Sequence, residues 1–256
     1  MFLTTKEVAI SQEEASKNKA FNSSSNTFIL GVLGGIFISL GAFGSIIMYT
    51  FVADIGLGKF LGGTVFSVAL MFVVLSGGEF FTGNNLITVG ALTKQFSWWR
   101  VGVNWTFVFI GNFAGALAMV LIVYGTGLLE LNGALTQSGE TSVALATGKV
   151  NLTFLEAITR GILCNLLVAG AVWMQTSAKE VAGKVLTIFF PIVTFIISGF
   201  EHVVANMFYI PMGMILGANI SIPSLLIDNI LPVAIGNAIS GGLIIPGLYY
   251  LVYLKK

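Results

Sequence analysis

The chain contains two apolar segments that are each interrupted at the centre by the same polar pattern. Residues 76–84 have the sequence SGGEFFTGN, and residues 198–206 have the sequence SGFEHVVAN. The two copies are 122 residues apart and share one order of Ser, Gly, Glu and Asn. Interrupted apolar segments at matching places in two halves are typical of a transport site near the bilayer midplane. The pattern therefore predicts a membrane protein with a pathway for a small solute.

The composition supports a membrane protein and excludes several other classes. Charged residues make up 9% of the 256 residues, and the mean hydropathy is +0.94, values typical of integral membrane proteins. The net charge of +1 gives no indication of a nucleic-acid partner. With one cysteine and one histidine, the chain has no intrachain disulfide and no Cys- or His-rich metal site. We expect no metal and no cofactor.

Six apolar spans follow one another along the chain. An unbroken span of their length crosses about 30 Å of hydrocarbon at about 1.5 Å per residue. The second and fifth spans are too long for one straight helix, and each is predicted to be two half-helices joined by irregular backbone. Such backbone survives at membrane depth only when it is buried in protein or lines a wet cavity. The spans are about 28–52, 62–94, 99–124, 154–176, 185–217 and 230–254.

The two halves also match outside the breaks. Asn104 and Asn112 in the third span recur 125 residues later in the sixth, and Gly35 in the first span is matched with Gly161 in the fourth. Each half holds three spans, and because three is odd the second half must enter from the opposite side. The sequence predicts an all-α membrane protein built from two inverted repeats, at about 28–124 and 154–254.

The N-terminal segment, residues 1–27, is polar and precedes a transmembrane domain at 28–256. It has no apolar core of a cleaved signal peptide; both a short surface helix and a loosely ordered tail remain open. With the N-terminus inside, nine cations lie inside and three outside, which predicts that both termini are cytoplasmic. The inside cations are Lys6, Lys17, Lys19, Lys94, Arg100, Lys179, Lys184, Lys255 and Lys256, and the outside cations are Lys59, Lys149 and Arg160.

Three ionisable side chains lie within the breaks, where a charge costs at least about 2.5 kcal/mol. His202 is interpreted as an ionisable group on the pathway, because imidazole exchanges protons near neutral pH. The alternative is a neutral histidine that is hydrogen-bonded inside the bundle. Glu79 and Glu201 occupy equivalent places, which favours a structural role in accepting backbone N–H groups at the breaks.

Other polar and apolar residues around the breaks allow simpler interpretations. Asn84 and Asn206 are expected to bind backbone groups that the breaks set free. Thr82 is either a pore hydroxyl or the cap of a half-helix. Phe66 and Leu70 share one helical face, and packing is the commoner role for such a pair.

The motifs at the breaks resemble those of the formate/nitrite transporter family. The resemblance is carried by GEFFTG at 78–83, GILCN at 161–165 and GFEHVVANMF at 199–208, and the length and the six spans agree over the whole chain. It implies an aquaporin-like fold and a homopentamer in the inner, cytoplasmic cell membrane, with one pore in each protomer.

The resemblance also implies roles for individual residues. His202 fills the position of a histidine between two constrictions, Thr82 hydrogen-bonds near it, Asn165 faces the pore, and Lys149 draws anions into the outer vestibule. Phe80 stands where typical members carry leucine, and its bulkier ring favours compact anions. The outer constriction is expected to contain Phe80, Phe81 and Phe195, and the inner one Phe66 and Leu70.

These expectations lead to a hypothesis of transport with protonation. The substrate would be a small monovalent anion of a weak acid, such as formate, nitrite or hydrosulfide. A bare anion pays a large desolvation penalty among apolar rings, and a neutral acid pays much less. Lys149 and Arg160 would concentrate anions, and His202, as imidazolium, would donate or share a proton.

Two other functions are open to such a chain. A neutral-solute channel of the aquaporin or ammonia type shares the inverted repeats, but the breaks contain no Asn-Pro-Ala pair. A membrane-embedded enzyme needs a nucleophile with a base, or a metal cluster. The single histidine and single cysteine lie in different spans, which argues against an enzyme.

Overall fold

A computed structural model describes residues 2–255, so Lys256, one of the cations counted above, lies outside the described residues. Five of its helices are long and apolar enough to cross a membrane. They are α2 (Ser24–Phe51), α3 (Ile55–Gly77), α5 (Trp98–Tyr124), α7 (Phe154–Gln175) and α10 (Ser224–Leu254). The remaining elements are α1 (Thr5–Phe21), α4 (residues 81–92), a hairpin of β1 (Glu130–Leu131) and β2 (Ala134–Leu135), α6 (Gln137–Val150), α8 (Val181–Ile197) and α9 (Val203–Ile215).

Both predicted breaks are present. The chain leaves helical structure between α3 and α4 at residues 78–80, and between α8 and α9 at residues 198–202. Gly77 and Gly199, which are 122 residues apart, have φ angles of +83° and +70°. Such left-handed backbone is open to glycine at little steric cost. The same residue type therefore turns the chain at the same point in both halves.

Asn112 of α5 holds the first break in place. Its side-chain oxygen accepts the backbone N–H of Phe81 at 2.8 Å. Its amide nitrogen donates to the backbone oxygens of Gly31, at 2.7 Å, and Glu79, at 2.9 Å. Buried backbone groups that lack a hydrogen bond within a helix need another partner. The Asn112 side chain is that partner for three backbone groups.

Asn237 of α10 holds the second break in the same way. It accepts the backbone N–H of Val203 at 3.0 Å, and it donates to the backbone oxygens of Gly161, at 2.8 Å, and Glu201, at 3.0 Å. Because the three bonds repeat in kind and order, the two halves have the same local construction.

These bonds correct the register of the first and fourth spans. Gly31 and Gly161 take the same place, so the spans are related by 130 residues. The match of Gly35 with Gly161 was therefore wrong by four residues. Since an α-helix has 3.6 residues per turn, the two registers present nearly the same face, which is why the incorrect match looked consistent.

Helices α1 and α6 cover opposite faces of the protein. Val8 and Ala9 of α1 pack in one cluster with Trp173, near the end of α7. Thr141 of α6 accepts a hydrogen bond from Thr50, near the end of α2, at 3.0 Å. We call these the α1 face and the α6 face. Helix α2 follows α1 and helix α7 follows α6, so the two repeats enter from opposite faces and are inverted.

Of the two alternatives that the sequence left open, the short N-terminal helix is present as α1, and the loosely ordered tail is wrong. The helix begins with a reciprocal cap in which Glu7 N–H donates to Thr4 Oγ1 at 3.4 Å and the Glu7 carboxylate accepts the Thr4 N–H at 2.7 Å. The Thr4 hydroxyl, followed by its backbone N–H, lowers the pKa of Glu7.

Candidate functional site

The two breaks meet at a contact between His202 and Thr82. His202 Nε2 lies 2.8 Å from Thr82 Oγ1, and the two residues are 2% and 0% exposed. His202 is the N-cap of α9, where its Nδ1 accepts the backbone N–H of Ala205 at 3.1 Å. Because a neutral imidazole carries one N–H, its proton is assigned to Nε2, which donates to Thr82.

The expected imidazolium does not fit this arrangement. An imidazolium has an N–H on both nitrogens, so Nδ1 would face the N–H of Ala205. The positive end of the α9 dipole further disfavours a cation at the N-cap. His202 is neutral here, and the Thr82 hydroxyl keeps its own proton for another acceptor.

Aromatic rings flank His202. The rings of Phe80 and Phe195 have their centroids 6.2 and 5.9 Å from the imidazole. Phe195 in turn contacts Phe66 edge to face, at 5.5 Å. The assignment of Phe66 and Phe195 to opposite constrictions is therefore wrong, because the two rings form one pair. Leu70 is buried one turn farther along α3, towards the break.

Phe81 is oriented differently from its neighbour. Its ring packs edge-on against Trp105 and Phe109 of α5, at 5.7 and 5.2 Å. The side chain thus fills the contact between α4 and α5. Phe195 instead packs against Phe66 and His202, and the grouping of Phe81 with Phe195 in one constriction stays a prediction.

A cavity of about 740 Å³ opens on the α6 face and reaches His202. Lys59 and Arg160 lie in its wall, and neither has a carboxylate within 4.0 Å among residues 2–255. With Lys149 and Glu201 also in the wall, cations outnumber carboxylates. A concave surface with such an excess raises the local concentration of anions.

Lys149 lies in this vestibule, as the resemblance implied, but it is held by a carboxylate. Its Nζ is 3.0 Å from both carboxylate oxygens of Glu201 and 5.2 Å from the centre of the Tyr209 ring. The Lys149 side chain is 15% exposed and that of Glu201 is 7% exposed. Since this pair is nearly neutral, the field of the cavity comes mainly from Lys59 and Arg160.

A related cluster on the α1 face was missed by the sequence analysis. Lys19 Nζ donates to Asn84 Oδ1 at 2.5 Å and lies 3.8 Å from Glu79. Lys19 and Lys149 are 130 residues apart, the distance that relates the first and fourth spans. This spacing could have identified Lys19 as the counterpart of Lys149. It becomes visible only once the register between the first and fourth spans is known.

The roles expected for the polar residues that recur in both breaks need correction. Asn84 donates to Glu79 at 2.8 Å, and Asn206 donates to Glu201 at 2.6 Å. The carboxylates thus bind side chains rather than backbone N–H groups, and these two asparagines bind carboxylates. The free backbone groups are instead bound by Asn112 and by its counterpart in α10.

Asn165 of α7 lies beside the Thr82 backbone. Its amide nitrogen faces three acceptors, which are Thr82 O at 3.2 Å, Asn85 Oδ1 at 2.9 Å and Asn237 O at 2.8 Å. Asn85 was also missed by the sequence analysis. Two features of the sequence could have identified it. Asn85 is a polar residue in an apolar half-helix, and its counterpart 122 residues later is the apolar Met207.

The sequence profile of the formate/nitrite transporter family matches residues 6–251. The chain belongs to the formate/nitrite transporter family. It is 35% identical to the formate channel FocA of Escherichia coli (strain K12), over 95% of this chain and 92% of FocA. It is 37% identical to the uncharacterized transporter YrhG of Bacillus subtilis (strain 168), over 98% of this chain and 93% of YrhG.

A solved pentameric formate channel with formate bound has the same fold. The TM-score is 0.81 at 34% identity, over 91% of this chain and 98% of that chain. The protein therefore has the aquaporin-like, six-span architecture of the formate/nitrite transporter family. It is a membrane transporter rather than the membrane-embedded enzyme considered above.

Proposed function

We propose that this protein conducts formate across the cell membrane and that His202 and Thr82 transfer a proton to the anion on the way. The proposal depends above all on the 2.8 Å contact between His202 Nε2 and Thr82 Oγ1, buried next to a cation-rich cavity. Nitrite and hydrosulfide have similar size and charge, and formate is preferred because the characterised relatives above are named as formate channels.

The entry side is the cavity of the α6 face. Lys59 and Arg160 draw the anion in, and Lys149 adds a hydrogen-bond donor near the far end. Phe195 lies in the wall of the cavity beside His202. It forms with Phe66 an apolar pair that a bare anion passes only at a large desolvation cost. Phe80 and Leu70 are the candidates for a second constriction, towards the α1 face.

The proton relay balances one proton against one anion. A hydronium ion in the cavity gives a proton to His202 Nδ1 as its bond to the Ala205 N–H breaks, and a water molecule is left behind. The transient imidazolium passes the proton on Nε2 to Thr82 Oγ1, and the hydroxyl proton of Thr82 goes to an oxygen of the anion. One anion and one proton become one neutral acid, and His202 returns to its Nε2 tautomer by exchange with cavity water.

The proposal includes the assembly and its orientation. A homopentamer is supported by the pentameric state of the solved relative and by large apolar side chains that this protomer leaves exposed, such as Leu121 and Val252. Cytoplasmic termini are supported by the cation bias and by the position of both termini on the α1 face, where Phe2 pairs with Ala178 and α1 packs beside Tyr253.

A flux assay in proteoliposomes tests the function. Formate, nitrite, hydrosulfide and acetate are compared while the internal pH is recorded. We expect formate entry to acidify the lumen, and we expect His202→Phe and Thr82→Val to lower this coupled proton movement at least about 100-fold, the usual size of a general acid–base contribution. Thr82→Ser keeps the hydroxyl and is expected to retain the coupling.

The matched variants make the outcome interpretable. Thr82→Val is compatible with the half-helix because Val204 occupies the equivalent position in the other repeat. Unchanged proton-coupled flux in His202→Phe would reject the relay. Water or ammonia flux without anion flux in the wild type would reject the proposed substrate class and support a neutral-solute channel.

A further inference from the structure

Two asparagine side chains beside Thr82 each keep one polar atom without a partner. Asn85 Nδ2 and Asn165 Oδ1 are buried and make no hydrogen bond within the described chain, and both residues are 0% exposed. Buried polar groups are nearly always satisfied, so each exception needs an explanation. Here one exception is a donor and the other is an acceptor.

The orientation of these amides follows from their neighbours. The nitrogen of Asn165 faces two backbone oxygens and the side-chain oxygen of Asn85, at 2.8 to 3.2 Å. Rotating the Asn165 amide would place its oxygen against those acceptors. Rotating Asn85 would place two NH2 groups against each other. The unpartnered atoms are therefore one N–H donor and one carbonyl acceptor on two bonded side chains.

The fold does not require this pair. By the 122- and 130-residue relations between the repeats, Asn85 corresponds to Met207 and Asn165 corresponds to Gly35. The second break is nevertheless held by the same backbone bonds as the first. A structural need would be expected in both repeats, so the pair serves something that only one of them does.

The pair adjoins Thr82, the contact of His202, through the bond from Asn165 Nδ2 to the Thr82 backbone oxygen. Thr82, Asn85 and Thr88 recur every third residue of α4 and form a polar stripe. Thr88 Oγ1 ends the stripe by donating to the Gly242 oxygen at 2.6 Å. At Gly241 of α10, a Cβ atom would meet the Asn165 amide and the Asn85 Cβ. The glycine thus leaves the room that the two amides occupy.

We propose that Asn85 and Asn165 form a docking site for the neutral, protonated carboxylic acid. The carbonyl oxygen of the acid accepts from Asn85 Nδ2, and its O–H donates to Asn165 Oδ1. A carboxylate has only acceptor oxygens and would leave Asn165 Oδ1 facing a negative charge. This inference rests on the proposed function, because the neutral acid arises at Thr82.

Asn85→Leu in the full-length protein tests the site. The variant keeps a similar volume and removes the donor. We expect the formate concentration at half-maximal uptake to rise about tenfold, the scale of losing one hydrogen bond to the substrate, with the maximal rate within about threefold of wild type. Asn85→Met places the residue of the other repeat at this position and is expected to raise the half-saturating formate concentration equally. It serves as a second variant in case Asn85→Leu does not fold.

Thr88→Val is the matched control, since it removes a hydrogen bond of the same stripe and leaves both unpartnered atoms in place. It is expected to leave the half-saturating concentration unchanged. A lower maximal rate at unchanged half-saturation in both Asn85 variants would show a structural role and overturn the proposal. An unchanged uptake curve would mean that the pair holds only water. Absence of formate uptake by the wild type is a separate result that rejects the proposed function itself.

Discussion

At the scale of single residues, the ion pair of Lys149 and Glu201 gives the sharpest prediction about stability. Removing one partner of a buried pair leaves an uncompensated charge, which costs about 3–5 kcal/mol. We therefore expect Lys149→Met to lower the free energy of unfolding by about that amount, measured by denaturant unfolding in detergent. The double variant with Glu201→Gln removes both charges and is expected to recover most of the loss.

The first-repeat lysine provides a comparison. Lys19 is 34% exposed and lies 3.8 Å from Glu79, so solvent screens its charge and Lys19→Met should cost much less. An equal loss for both lysine variants, or no recovery in the double variant, would contradict the assignment of the Lys149 pair as buried and coupled.

The sequence predicted which residues matter better than what they contact. The family resemblance implied that Thr82 hydrogen-bonds near His202, and the structure joins them at 2.8 Å. The partners of Asn84 and Asn206 were wrong, because a repeated asparagine in a sequence reveals that a position is special and does not reveal what its amide faces. The resting tautomer of His202 could not be predicted for the same reason, since it depends on the Ala205 N–H, which only the geometry supplies.

At the scale of elements, glycines set the distance between α2 and α5. A Cβ atom at Gly115 would meet the backbone oxygen of Val32, whereas a Cβ atom at Gly102 of the same helix would meet nothing within 4 Å. We expect Gly115→Ala to destabilise the protein by about 1–3 kcal/mol through overpacking. Gly102→Ala should be neutral or stabilise it by about 0.5–1 kcal/mol. Thermal unfolding of both variants in detergent checks the contrast, which equal shifts would contradict.

Apolar spans are predictable at this scale, and polar helices are not. The predicted third and fourth spans, 99–124 and 154–176, differ from α5 and α7 by one residue at one end. Helix α3 begins at Ile55 rather than near 62, because its first turns are capped by Asp54. Helix α6 was missed, since Gln137–Val150 contains no long apolar run and its buried residues are small, such as Ser142 and Ala146.

At the scale of the whole molecule, the symmetric and asymmetric parts of the repeats have different roles. The symmetric residues, such as Asn112 and its counterpart in α10, hold the two breaks. The asymmetric ones lie at the centre, where Thr82, Asn85 and Asn165 have apolar or glycine counterparts. Symmetry could be found in the sequence, because it repeats. The polar centre could not be assembled from the sequence, because its members come from different spans.

The orientation of the whole protein in the membrane gives the last prediction. Lys17 lies exposed on the α1 face, and Lys59 lies exposed near the cavity of the α6 face. The one natural cysteine, Cys164, is fully buried, so it should not react with the maleimide and only introduced cysteines are labelled. The variant Cys164→Ser is the control. In intact cells, a membrane-impermeant maleimide should label Lys59→Cys and not Lys17→Cys, and permeabilisation should expose Lys17→Cys. The reverse pattern would place the α6 cavity in the cytoplasm and make the cations of that cavity an attractant for anions leaving the cell.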